Sequence, residues 1–120
     1  MVKETNNTNP KSAPKKEAPP YIGHRDRLRK RLWEIGPESM RTVELLEILL
    51  FYALPRIDTS KIAQALLNEF RTVKGIFDAN FSDIKRVAGI KDNAATLFVV
   101  VRELFRRYTT DVIPEPKKMN

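Results

Sequence analysis

The residues best placed to do chemistry are Ile84-Lys85-Arg86-Val87-Ala88-Gly89-Ile90-Lys91-Asp92-Asn93-Ala94-Ala95. Gly89 lets the backbone turn sharply and, with no Cβ, lets an anion come close. The amides that begin the following helix have no intrahelical acceptor, and the helix dipole favours negative charge beside them. Lys91 adds a cation at the same place, Ile90 anchors the turn in a core, and the small Ala95 allows two helices to approach. A corner of this kind grips phosphate, and a series of phosphates is a nucleic-acid backbone, held with little reference to base sequence. The candidate binding residues are Gly89, Ile90, Lys91 and Asn93, flanked by Lys85 and Arg86, with Arg25 and Arg29 from an early basic stretch. The competing reading is a corner that only packs two helices together.

Other chemistries find little material. The chain has no cysteine, which excludes disulfides, thiolate metal sites and a thiol nucleophile. The single histidine, His24, excludes most zinc enzymes, and a capping or packing role suits it better than acid–base work. Glu44 and Glu47 are close on one helix, yet dipole and solubility explain them better than paired acid–base catalysis. Trp33 could stack on a base but more commonly such a ring fills a gap against a neighbouring helix, and Tyr21 and Tyr52 are expected to bury their rings. No cofactor or metal site is predicted. The formal charge is +7 over 120 residues, and the excess falls in residues 1–20, 24–34 and 81–108 rather than in the centre. Clustered positive charge is the footprint of a phosphate-binding surface, although a solvated helix face is the commoner cause of any one cluster.

These side chains must be positioned by helices. Residues 1–20 carry four prolines and almost no aliphatic side chain, and are read as a disordered basic tail; residues 109–120 are read as a linker or second loose segment. Between them the patterning is helical. A first helix is expected over residues 24–35, with Leu28, Leu32 and Ile35 on one stripe and Gly36-Pro37 ending it. Thr42 is expected to cap a second helix, apolar nearly all round from residue 45 to 54 and ended by Pro55. Asp58 or Thr59 caps a third, Thr72 opens a short fourth, and Ser82 opens a fifth. A long last helix carries Ala94, Leu97, Phe98, Val101, Leu104, Phe105 and Tyr108 at spacings of three and four. The predicted fold is all-α, a compact five- or six-helix domain over residues 21–108. Its C-terminal element, residues 82–107, resembles the helix-hairpin-helix motif in a sterile-alpha-motif-like setting, with Lys91 in place of the motif's second glycine.

The order of motifs resembles the RadC family. Tyr21-Ile22-Gly23-His24-Arg25-Asp26-Arg27-Leu28-Arg29 is similar to its Gly-His-Arg opening, and Val43-Glu44-Leu45-Leu46-Glu47-Ile48-Leu49-Leu50-Phe51 to its Glu-Leu-Leu helix. Ile62-Ala63-Gln64-Ala65-Leu66-Leu67-Asn68-Glu69-Phe70, the hairpin and Val101-Arg102-Glu103-Leu104 complete the series. The chain departs from the family pattern at Arg71, where members usually have Gly, and at Arg41-Thr42, where Ser-Asp is common. The resemblance implies the family's N-terminal helical module in a bacterial, cytoplasmic protein whose family name is associated with DNA repair. Full-length members continue into a JAB/MPN-type metal-dependent domain built on a His-x-His pair, which this chain does not match. The expected function is therefore non-catalytic, sequence-tolerant DNA binding, with docking to a JAB/MPN domain or another protein as the alternative. A glycosylase of the helix-hairpin-helix type is disfavoured, because Asn93 stands where its Schiff-base lysine belongs.

Overall fold

The computed structural model describes residues 20–111, with side chains from Gly23 onward. The expected tails at 1–19 and 112–120 lie outside the described residues. All regular structure among the described residues is helical, so the all-α class stands. Two units divide at residue 40.

The first unit holds α1 (Pro20–Ile35) and a short 3₁₀ turn (Pro37–Ser39). Helix α1 begins earlier than its apolar stripe, at Pro20, because proline's fixed φ suits a first helical turn where no N–H is needed. It stops at Gly36, whose φ of 88° is readily available only to glycine. Leu28 is buried, whereas Trp33 is among the most exposed side chains described and fills no gap.

The second unit contains α2 (Thr42–Phe51), α3 (Thr59–Phe70), α4 (Val73–Asp78), α5 (Phe81–Ile84) and α6 (Asp92–Thr110). Helix α2 is not capped by Thr42, which is already helical. Arg41 is the cap residue, and its backbone N–H donates to Glu44 Oε1 at 2.9 Å, which is the return half of a capping box. Glu44 is buried in this role, and Glu47 is buried as well, so neither is a solubilising surface charge. Helix α2 ends at Phe51, before the expected limit, and Leu54 N–H closes a turn on the Leu50 carbonyl at 2.8 Å. Pro55 disfavours helical geometry at the residue before it, so the helix unwinds ahead of the proline. Tyr52 in that turn is exposed rather than buried, and Leu45 also reaches solvent.

Asp58 caps α3 by accepting from Ser60 N–H at 3.0 Å, and Thr72 caps α4 by accepting from Gly75 N–H at 2.9 Å. Helix α5 is capped by Asn80, not Ser82; the Asn80 carboxamide oxygen takes both the Asp83 N–H at 2.8 Å and the Ser82 hydroxyl at 3.1 Å. Leu46, Leu50, Ile62, Leu66, Ile76, Ile84, Ile90 and Phe98 form one continuous core.

The joint between α3 and α4 stores strain. Arg71 has φ 76° and ψ −41°, and the Thr72 N–H reaches the Phe70 carbonyl at 2.8 Å across it. A three-residue turn of this hand is rare and costly for a residue with a Cβ. Arg71→Gly is expected to stabilise the protein by about 1 kcal/mol, read as a higher urea midpoint with unchanged slope.

Candidate nucleic-acid interface

The hairpin is built by short-range bonds that leave its outer rim open. After α5, Arg86 N–H donates to the Asp83 carbonyl at 3.1 Å, Val87 N–H to Ile84 at 3.1 Å, and Ile90 N–H to Val87 at 3.0 Å. Val87 and Ile90 are buried and hold the turn against the core. Gly89 takes φ 92°, and a Cβ there would lie 2.7 Å from Ile62 Cδ1, so both conformation and space require glycine.

Lys91 is the cap residue of α6, with φ −120° and ψ −159°. This is extended backbone open to any residue, so the absence of a second glycine introduces no strain. No side chain caps the helix. Among the described residues, the amides of Asp92, Asn93 and Ala94 have no protein acceptor; the first backbone bond of the helix runs from Ala95 N–H to the Lys91 carbonyl at 3.0 Å.

Six of the predicted binding residues meet at this corner: Gly89, Ile90, Lys91, Asn93, Lys85 and Arg86. Ile90 is buried, so it shapes the turn without touching a ligand. Lys85 sits 2.7 Å from Asp92 and 5.0 Å above the Phe81 ring, and Arg86 is 3.2 Å from Asp83. Lys91 is exposed and makes no ion pair among the described residues. The hairpin therefore holds two neutralised cations and one unengaged one. Asp92, in the first turn, already complements the helix dipole, while its pairing with Lys85 draws the carboxylate to one side.

Arg25 and Arg29 are not in the unit that holds the hairpin. Both lie on α1, in the first unit. Arg25 is only 6 % exposed, and Arg29 is held 2.7 Å from Asp26.

Sequence reasoning also missed the groups beside the hairpin. A cleft of about 630 Å³ is bordered by Leu54, Ile57, Lys85, Gly89, Lys91 and Asn93, with mostly apolar walls. Leu54 and Ile57 come from the α2–α3 connection, and nothing local in the sequence places them near residue 91. The Asp83–Arg86 pair was legible as an i, i+3 spacing, whereas the Lys85–Asp92 pair depends on the turn. Among the described residues no cluster of His, Asp or Glu could hold a metal, and no helix is long and apolar enough to cross a membrane.

Comparison with known proteins places this architecture. The sequence profile described as the UPF0758 N-terminal domain matches residues 21–96. The chain belongs to the UPF0758, or RadC, family. A UPF0758 protein of Fusobacterium nucleatum subsp. nucleatum is 37% identical over 82 residues, which cover 68% of this chain and 35% of that relative. The chain thus spans about a third of the length of this curated relative, and the match is to the N-terminal region of the family. No solved structure matches. The UPF0758 profile takes in α1 to α5 and the hairpin and ends in the second turn of α6.

Proposed function

We propose that this UPF0758 N-terminal region is a non-catalytic DNA-binding module of the cytoplasm that grips backbone phosphate through the hairpin without reading sequence. One observation carries the reading: three unpaired amides at the start of α6 lie beside an unengaged Lys91, on a turn held open by Gly89. Bare donors at the positive end of a helix, next to a cation, suit a phosphate oxygen. Two of the three hairpin cations are already paired, so the grip is weak, of the order of the 10⁻⁴–10⁻⁶ M usual for non-specific binding.

Fluorescence anisotropy with two duplexes of unrelated sequence, at low salt, tests this. Both should bind alike, with affinity falling steeply as salt is added. Lys91→Glu removes one charge-assisted contact and adds repulsion, so binding should weaken roughly tenfold or more. Lys91→Ala should shift the slope of log K against log salt by about one. Absence of binding to either duplex, or unchanged affinity in Lys91→Glu, overturns the proposal.

Docking to another protein is the second reading. It is favoured by a different observation, the apolar face left exposed on α4 and α6.

A further inference from the structure

The α2–α3 connection and the hairpin leave a gap where they meet. The connection around Pro55 sets Leu54 and Ile57 beside the start of α6. From the hairpin side the facing residues include Gly89 and Ala94, which have too little side chain to fill the space. The result is the cleft of about 630 Å³, a volume in the range of small-ligand sites, where protein interiors normally close such gaps. Ala94 is buried and Ile57 is 41 % exposed, so the apolar wall runs from the core to the surface.

The polar groups on the rim say what fits. Lys85 and Asp92 neutralise each other at 2.7 Å. Lys91 is left as the cation, beside the bare amides of the first turn of α6. Asn93 adds a carboxamide, which both donates and accepts. The matching ligand carries an anion next to a body with apolar faces and a hydrogen-bonding edge. A nucleotide is that combination.

Strand form follows from the same geometry. In a duplex each base is paired and stacked, and a backbone phosphate seated on the hairpin leaves the cleft empty. Extruding a base from a duplex costs unpairing and unstacking energy that a single strand does not pay. The bases of a single strand turn outward, and their faces pack on aromatic or apolar side chains.

We propose, on the footing of phosphate binding at the hairpin, that the cleft receives one unstacked base of single-stranded DNA. Its phosphate sits on Lys91 and the α6 amides, its faces lie against Leu54 and Ile57, and Asn93 meets its edge. The site therefore takes a single strand in preference to a duplex. Charge density alone favours the duplex, so a preference for the single strand has to come from the bases.

Fluorescence anisotropy of the full chain at low salt compares oligo(dT) of about 16 nucleotides with a duplex of the same length. The single strand should bind about tenfold more tightly, the contribution of one packed base. An abasic strand of equal length keeps every phosphate and should lose that factor. Ile57→Ser should lower oligo(dT) affinity to the same extent while duplex affinity and circular dichroism stay unchanged, because Ile57 lies outside the helices and outside the buried core. Strand and duplex bound equally, both sensitive to Lys91→Glu and neither to Ile57→Ser, overturns the base site and leaves phosphate binding standing. Binding to neither overturns both. A single-strand preference that survives Ile57→Ser or loss of the bases also overturns the base site. So does Ile57-dependent binding of an acidic, leucine-bearing peptide in place of oligo(dT), which assigns the cleft to a protein ligand.

Discussion

Phe98→Ala is expected to lower the unfolding free energy by about 3–5 kcal/mol. Phe98 is 1 % exposed and packs at a tilt against Phe77, with ring centroids 5.1 Å apart. It belongs to the core shared by α2, α3, α4, α5 and α6, so its truncation opens a cavity that no single element can close. Stability of roughly 0.05–0.15 kcal/mol per residue leaves a small domain little in reserve. The variant should be largely unfolded near body temperature. Urea or thermal denaturation followed by circular dichroism checks this; a midpoint within a degree or two of the parent would mean that the site collapses around the loss.

Gly89→Ala is the second large effect, about 2–4 kcal/mol, and it differs in origin. The new Cβ meets Ile62 Cδ1 at 2.7 Å and Cγ1 at 2.9 Å, while φ of 92° is a conformation L side chains rarely adopt. Backbone strain of about 1–3 kcal/mol adds to overpacking of a buried isoleucine. The strain sits in the turn that presents Lys91, so under the proposed function DNA affinity should fall even in conditions where the variant remains folded. Combining Gly89→Ala with Ile62→Val gives the clash room. Partial recovery of stability with no recovery of turn geometry separates the steric part from the conformational part. Unchanged stability in Gly89→Ala would show that the hairpin is softer than its geometry implies.

Much of the fold was legible because its signals are local. The caps at Asp58 and Thr72, the stop at Gly36-Pro37 and the stripe on α3 all act over three or four residues, the range across which a helix turn interacts with itself. The misassigned caps are informative. Thr42 and Ser82 have good capping side chains, yet Glu44 reaching back to Arg41 and Asn80 accepting two donors satisfied those helix starts one or two residues earlier. Several residues of the same class compete at a helix start, and the backbone path chooses between them.

The candidate site was legible in the same uneven way. Gly89 and Ile90 followed from the motif; Gly89 has a positive φ and Ile90 is buried. Lys91 stands where the motif has its second glycine, and its extended φ requires none. The arginines of α1 were chosen by charge, and burial of Arg25 was not legible in it. Charge in a sequence has no direction until a helix face acquires a neighbour.

The amino-acid order alone determined that the protein is helical, where its helices lie, which family it belongs to, and that a glycine corner precedes the last helix. The helices and the corner follow from periodicity, capping and turn preference, which are interactions between near neighbours along the chain, while the family follows from the resemblance of its ordered motifs. Only the tertiary structure decided that Lys91 is unengaged while Lys85 and Arg86 are paired, that Arg25 is buried, and that the stripe on α6 is at least partly covered at Phe98 and Val101 and bare from Leu104. Burial and ion pairing depend on which segments meet in space. An apolar stripe looks the same in sequence whether or not another helix lies against it.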